Sequence, residues 1–290
     1  MINTYMTKMK DIPVNVSDKV ILWFYGDIHR FTRSCDVERW KAFLTQAKED
    51  TKNNEHTYFI GMGDYDDFAS TREKKDLVRM HETTIDGFDD IDQKRCRVLA
   101  QELSFTRGRT LGLIEGNHHW VRSNGVTSTQ DLCYRLDAPY LGWLCHYSLI
   151  FQFYKKAGRN EFTNNIPFHL ILCHGKAGGK THGNTINQVG DLKLIFPAGD
   201  VYVMGHDHQR GAWPVSVLLP QFSKMGVAIK QKRQLLCRSG SFKKAYEDNT
   251  AGYEIGRLLK PADLGAIKIE IEFKNSKEHG GMTHTLTAVI

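Results

Sequence analysis

Long hydrophobic runs are missing from this 290-residue chain. The most apolar window, residues 138–154, is interrupted by Gly142, His146, Ser148 and Gln152. A membrane-spanning helix needs about 20 predominantly apolar residues, so no membrane partner is expected. The opening stretch MINTYMTKMK carries lysines and no apolar segment, which argues against a signal peptide and for a cytoplasmic protein. Cysteine is sparse: Cys35, Cys96, Cys133, Cys145, Cys173 and Cys237 lie far apart with no C-x-x-C pair. They suit small core residues in a reducing compartment rather than a disulfide framework. No internal repeat and no Pro- or Ser-rich linker divides the chain, so one domain over residues 1–290 is expected. Acidic residues are also absent from one long stretch, residues 209–246.

What is present is the composition of a folded soluble domain: 41% hydrophobic and 25% charged residues, with 39 Lys+Arg against 33 Asp+Glu and a net charge of +6. That excludes a disordered, collagen-like or miniprotein chain. Thirteen histidines stand out, because several fall beside Gly, Asp or Asn. Short apolar runs of strand length end in these polar clusters five times. Residues 20–25 run into Gly26-Asp27-Ile28-His29, and residues 57–62 into Gly63-Asp64. Residues 110–114 lead to Glu115-Gly116-Asn117-His118, residues 168–173 to His174-Gly175, and residues 201–204 to Gly205-His206-Asp207-His208. Helical patterns are expected between them: residues 36–50 with Asp36 as cap, a charged insertion over 71–80 and 89–104, and residues 185–196. Strand character returns at 234–237 and 266–273. Strands alternating with helices predict an α/β layered domain, whose ligands collect beyond the carboxyl ends of the strands.

The donors at those ends are Asp27, His29, Asp64, Asn117, His174, His206 and His208. They are oxygens and imidazoles with no thiolate, a mixture suited to Mn, Fe or catalytic Zn. Seven donors exceed one tetrahedral ion; with a bridging carboxylate they give four ligands to each of two, as in two-metal phosphoryl transfer. The glycines ahead of them, Gly26, Gly63, Gly116 and Gly205, are expected to let the chain turn sharply. Taken singly each motif is also an ordinary turn or solvated loop; the five together at strand ends are what favour a metal centre.

The series Gly26-Asp27-x-His29, Gly63-Asp64-x-x-Asp67, Gly116-Asn117-His118, His174-Gly175 and Gly205-His206-x-His208 resembles the calcineurin-like metallophosphoesterase superfamily over about residues 20–210. Ser239-Gly240-Ser241-Phe242, Gly252-Tyr253 and Leu264-Gly265-Ala266 are also similar to phosphoesterases encoded by bacteriophages, which would place the protein in a host cytoplasm. The resemblance implies an αββα sandwich, two mixed sheets flanked by helices, with a dinuclear metal site at strand ends and residues 211–290 completing the fold. It implies that Asp64 bridges two divalent ions, manganese first with iron, zinc or nickel as alternatives. Asp27, His29 and His208 would complete one coordination sphere, and Asn117, His174 and His206 the other. His118, oriented by Asp67, would protonate the leaving oxygen after attack by hydroxide held on the metals.

Two departures accompany the resemblance. His119 stands where the superfamily usually has an acidic residue, and Phe68 stands where its protein Ser/Thr phosphatases carry a phosphate-binding arginine. Arg30 is the substitute candidate for contacting phosphate, against a plain surface arginine. Gly175-Lys176-Ala177-Gly178-Gly179-Lys180-Thr181-His182 lacks the spacing of a phosphate-binding P-loop and reads as a flexible loop beside the site. Trp143, Tyr202, Trp213 and Phe222 are candidates for stacking a base, or simply core. The implied activity is a hydrolase of phosphate esters, a phosphodiesterase or nuclease acting on DNA, RNA or a nucleotide. Alternatives are a phosphomonoesterase on a small metabolite and, ranked lower, a non-catalytic binding module.

The acid-free stretch carries Arg210, Lys224, Lys230, Lys232, Arg233, Arg238, Lys243 and Lys244, leaving 31 Lys+Arg against 33 acids elsewhere. It reads either as a solvated hairpin or as an electropositive rim that draws an anionic substrate to the site.

Overall fold

The computed structural model describes residues 5–68, 82–157, 160–176, 181–223, 226–246, 261–276 and 281–290. The expected helical insertion at 71–80, the core of the loop at 177–180, Lys224 and Gly252-Tyr253 lie outside the described residues. The strands are β1 (Tyr5–Pro13), β2 (Lys19–Tyr25), β3 (Thr57–Gly61), β4 (Thr110–Leu113), β5 (Leu144–Ala157), β6 (Asn160–Cys173), β7 (Val201–Met204), β8 (Arg210–Ser223), β9 (Gly226–Ser239), β10 (Ile267–Ser276) and β11 (Gly281–Val289). Among the described residues there are four α-helices: α1 (Val37–Asn53), α2 (Glu82–Glu102), α3 (Ser128–Leu136) and α4 (His182–Ile195).

The strands form two mixed sheets, one of six in the order β1-β5-β6-β7-β9-β8 and one of five in the order β11-β10-β2-β3-β4. β2 shows why they stack. Val20, Leu22 and Phe24 point one way into the core between the sheets, while Ile21, Trp23 and Tyr25 point the other way onto helices. A strand buried on both faces has to be apolar throughout, which is why it reads as a continuous run. Trp40, Phe43, Leu44 and Ala47 of α1 meet the outer face, together with Leu99 and Leu103 near the end of α2 and Leu132 and Leu136 of α3. On the other flank Val189 and Leu192 of α4 cover Ile171, Tyr202, Met204 and Leu236. The layers therefore run helix, sheet, sheet, helix, the sandwich expected from the sequence.

Local chemistry sets the element ends. Asp36 caps α1 by accepting from the Arg39 N–H at 3.0 Å. Thr127 and Gln130 form a reciprocal capping box at the start of α3, satisfying two N–H groups that the first turn leaves free. Pro214 and Pro220 fall in β8, an edge strand, where a missing backbone donor is tolerated.

The parallel strands β2, β3 and β4, like β6, β7 and β9, deliver their carboxyl ends to one end of the sandwich. Three hairpins extend the opposite way. β9 pairs with β7 only over Leu235 to Arg238, yet pairs with β8 back to Gly226. β6 meets β7 only from Leu170, while its hairpin with β5 reaches back to Asn160. β10 continues past its last partner on β2, Lys19, to Ser276. This register narrows the electropositive-rim reading to the residues after β9. Lys230 and Arg233 are exposed on the ribbon that runs away from the strand ends, and Lys232 is paired with Asp200 at 2.8 Å. That part of the acid-free stretch is a solvated hairpin.

Candidate metal centre

Five strand ends place the donors. The turn after β2 carries Asp27 and His29, the turn after β3 carries Asp64 and Asp67, and the turn after β4 carries Asn117 and His118. Those after β6 and β7 carry His174, and His206 with His208. Their backbone is strained. Seven non-glycine residues among those described have positive φ, and five are in this set: Asp27 (45°), His29 (46°), Asp64 (49°), His206 (69°) and His208 (60°). Left-handed backbone disfavours a Cβ, costs on the order of 1–3 kcal/mol per residue and collects at functional sites.

The glycines act differently from the sequence expectation. Of Gly26, Gly63, Gly116 and Gly205, only Gly63 turns through a left-handed conformation, at φ 98°. The others permit close approach: a Cβ on Gly116 would overlap Asp64 Oδ1 and the Asp64 nitrogen. On Gly205 it would fall 2.9 Å from Asp27 Oδ2.

The donors gather into two groups whose ligand atoms lie within 4.8 Å of one another, Asp27 with His29 and His208, and Asp64 with His174 and His206. In the second group His174 Nδ1 donates to the Met62 carbonyl at 2.7 Å. Its Nε2 then faces Asp64 Oδ2 at 3.1 Å, Asn117 Oδ1 at 3.0 Å and His206 Nδ1 at 3.2 Å. In the first, His29 Nε2 lies 3.2 Å from His208 Nε2, and Asp27 Oδ1 lies 3.5 Å from the same His208 nitrogen. Asp27 Oδ1 is buried without a hydrogen-bond partner, a costly arrangement for an isolated carboxylate.

Proton affinities follow from this crowding. Burial pushes Asp27 up to about 7, with neighbouring Asp64 adding to the shift against His174. Burial also disfavours charge on Asp64, but His174 outweighs it and holds that carboxyl well below the usual range. The same pair raises His174 to about 9 against its own burial, placing a proton's positive charge among the donors. Burial pushes His29, His206 and His208 down, His206 to about 4. Three imidazoles kept neutral by burial, a fourth that holds a positive charge as a proton, and carboxylates converge on two points, a donor set that fits a pair of divalent cations. The cations would supply the charge that Asp27 Oδ1 lacks.

Beside these groups His118 Nδ1 lies 2.5 Å from Asp67 Oδ1, and Asp67 raises the His118 pKa against burial. Asp67 Oδ2 also lies 3.1 Å from His29 Nδ1, so one carboxylate serves two histidines where the sequence reading gave it one. Arg30 is not brought to the cluster: its guanidinium forks onto Glu102 at 2.8 and 3.3 Å. Lys243, counted in the sequence only as part of a basic run, is a cation whose charge opposes protonation of His29, His118 and His208. Its turn is tied to the Asp27 carbonyl through the Phe242 N–H (3.0 Å) and Ser241 Oγ (2.9 Å). Nothing local in the sequence marks this, since the contact spans more than two hundred positions.

His119 Nδ1 donates to the Gly116 carbonyl at 2.6 Å and lies 3.6 Å from Glu115. A carboxylate thus stands near His119, supplied by Glu115 rather than by position 119 itself. Glu115 is fully buried and accepts from the hydroxyls of Thr127, Thr129 and Tyr140. Phe68 packs on Trp120 with ring centroids 4.8 Å apart. Of the aromatic candidates, Trp143 meets His119 edge-on at 5.9 Å, whereas Tyr202 belongs to the core beneath α4.

No helix among the described residues is long and apolar enough to cross a membrane. Comparison with protein-family models gives no match, and comparison with curated proteins gives none. Among solved structures the chain is similar to one titled "GAP50 the anchor in the inner membrane complex of Plasmodium". Identity is 11%, coverage is 93% of this chain and 85% of that one, and the TM-score is 0.36. A likeness of that degree says nothing about this chain's chemistry.

Proposed function

We propose that the protein is a metal-dependent phosphoric ester hydrolase using two divalent cations, with phosphodiesters of nucleic acids or nucleotides as its favoured substrates. The observation that carries this reading is the pairing of two converging donor groups on strained strand-end turns with a His118–Asp67 couple at their edge. Asp27, His29 and His208 would hold one cation; Asn117, His174 and His206 the other, with Asp64 between them. When bound, such ions stabilise charge on a phosphoryl oxygen and activate water near neutral pH.

The chain's own residues would do the rest. Asp67 fixes the His118 ring through Nδ1 and favours its protonated form, leaving Nε2 to deliver a proton to the departing ester oxygen. A poor alkoxide leaving group needs that proton most. Lys243 adds positive charge on the imidazole side, where a phosphate would be attracted. The cation-bearing ribbon leads away from the site, so it lends no weight to a long polymer over a nucleotide diester.

The experiment is turnover of bis-p-nitrophenyl phosphate and p-nitrophenyl phosphate side by side by Mn²⁺-treated protein. The diester is expected to be preferred. No turnover of either overturns the reading, and preference for the monoester replaces it with a phosphomonoesterase. His118→Ala should keep bound metal and lose about 10²–10⁴-fold on a diester with a poor leaving group.

A further inference from the structure

We infer that Arg238 is a positioning residue for the metal centre, clamping the loop that gives one imidazole to each cation. This rests on reading the donor cluster as a two-cation site. Arg238 is fully buried, and it comes from the end of β9 rather than from any strand-end motif. Burying a guanidinium is expensive unless its donors are used, and here they are directed at backbone. Nη1 donates to the Gly205 carbonyl at 2.7 Å. Nε and Nη2 both donate to the Thr185 carbonyl at 3.2 Å, and Nη2 also reaches Gln188 Oε1 at 3.0 Å. Asp207 Oδ2 lies 3.5 Å from Nε.

The Gly205 carbonyl belongs to the same peptide unit as the His206 N–H, and that N–H donates to Asp27 Oδ2 at 2.9 Å. One peptide plane is therefore held at its oxygen by a guanidinium and at its nitrogen by a candidate metal ligand. A side chain at Gly205 would be pressed onto that same carboxylate oxygen. The next residues need the restraint: His206 and His208 both hold left-handed backbone, at φ 69° and 60°, which persists only where its surroundings over-determine it. Through Thr185 and Gln188 the same side chain locks the loop to the first turns of α4. His206 belongs to one donor group and His208 to the other, so loosening this loop disturbs both cations at once.

The test is metal binding by the full chain, read apart from activity. Mn²⁺ affinity and stoichiometry would be measured by titration, and spin coupling between the ions by electron paramagnetic resonance. Arg238→Met and Arg238→Lys would be compared with wild type, each checked by circular dichroism. Arg238→Met is expected to weaken binding of both ions at least tenfold and abolish the coupled signal. Arg238→Lys, which offers one charge without the fork, is expected to recover part of the affinity. Wild-type affinity and coupling in a folded Arg238→Met overturn the inference, even if thermal stability falls, because the role is then only structural. If Arg238→Met does not fold, wild-type affinity and coupling in Arg238→Lys overturn it instead. Failure of the wild type to bind Mn²⁺ would overturn the two-cation reading itself, a result distinct from unchanged binding in the variants.

Discussion

Asp89 and Glu115 are buried carboxylates outside the ligand set, and both secure the segment that carries Asn117 and His118. Asp89 accepts from the Trp120 indole at 2.5 Å and from the Ser123 N–H and hydroxyl at 2.9 and 2.8 Å. Burial alone would raise its pKa, but these three donors outweigh burial and hold it below the ordinary value. A carboxyl whose folded pKa is depressed contributes stability above its unfolded pKa and loses it as the pH falls through the folded one. Asp89→Asn is therefore expected to cost about 1–3 kcal/mol at pH 7. Urea unfolding should show that gap shrinking as the pH is lowered from 5 towards 3, and a gap constant over that range would count against the assignment. Such residues are hard to read from sequence. Nothing near Asp89 announces a partner thirty positions away, whereas Asp27 and His29 stand two apart at the end of an apolar run. Arg30 shows the converse: adjacency to a motif suggested a substrate contact, and a distant glutamate took the side chain.

At the scale of elements, each donor sits on a turn whose strand is buried on both faces, and this made the five runs legible. Double burial demands unbroken apolar sequence, so the polar residue that follows is conspicuous. α1 was legible too, through its cap and the spacing of Trp40, Phe43, Leu44 and Ala47. The nine-residue α3 was not: its apolar residues are few, and its signal is the capping box Thr127-x-x-Gln130. The long hairpin β5/β6 escaped as well, because its outer half mixes polar with apolar residues, whereas β8/β9 was foreseen only as one of two readings of the acid-free stretch. α3 matters for the site, because Thr127 Oγ1 both accepts from the Gln130 N–H at 3.1 Å and donates to Glu115 at 2.8 Å. Thr127→Ala removes the cap and one of the three hydroxyls that donate to the buried Glu115 carboxylate. The expected loss is roughly 2–4 kcal/mol, seen as a lower urea midpoint. A change below about 0.5 kcal/mol, the scale of an inert surface substitution, would show that α3 does not brace Glu115.

The whole molecule separates chemistry from extension. One end of the sandwich gathers the strand ends and their donors, and the other sends out three hairpins, including the exposed cations Lys230 and Arg233. Net charge was therefore a poor guide to where these side chains gather, whereas the order of Asp, Asn and His residues at strand ends anticipated which of them the fold brings together. Layering follows from sequence alone; the direction of each hairpin depends on how many residues pair with the neighbouring strand, which composition does not encode. The central proposal is that these donors would together hold two divalent cations. Metal analysis of the Mn²⁺-equilibrated, gel-filtered protein, combined with electron paramagnetic resonance, tests it most directly. Two manganese ions per chain with a spin-coupled spectrum are predicted; one ion, none, or two uncoupled ions would contradict the account.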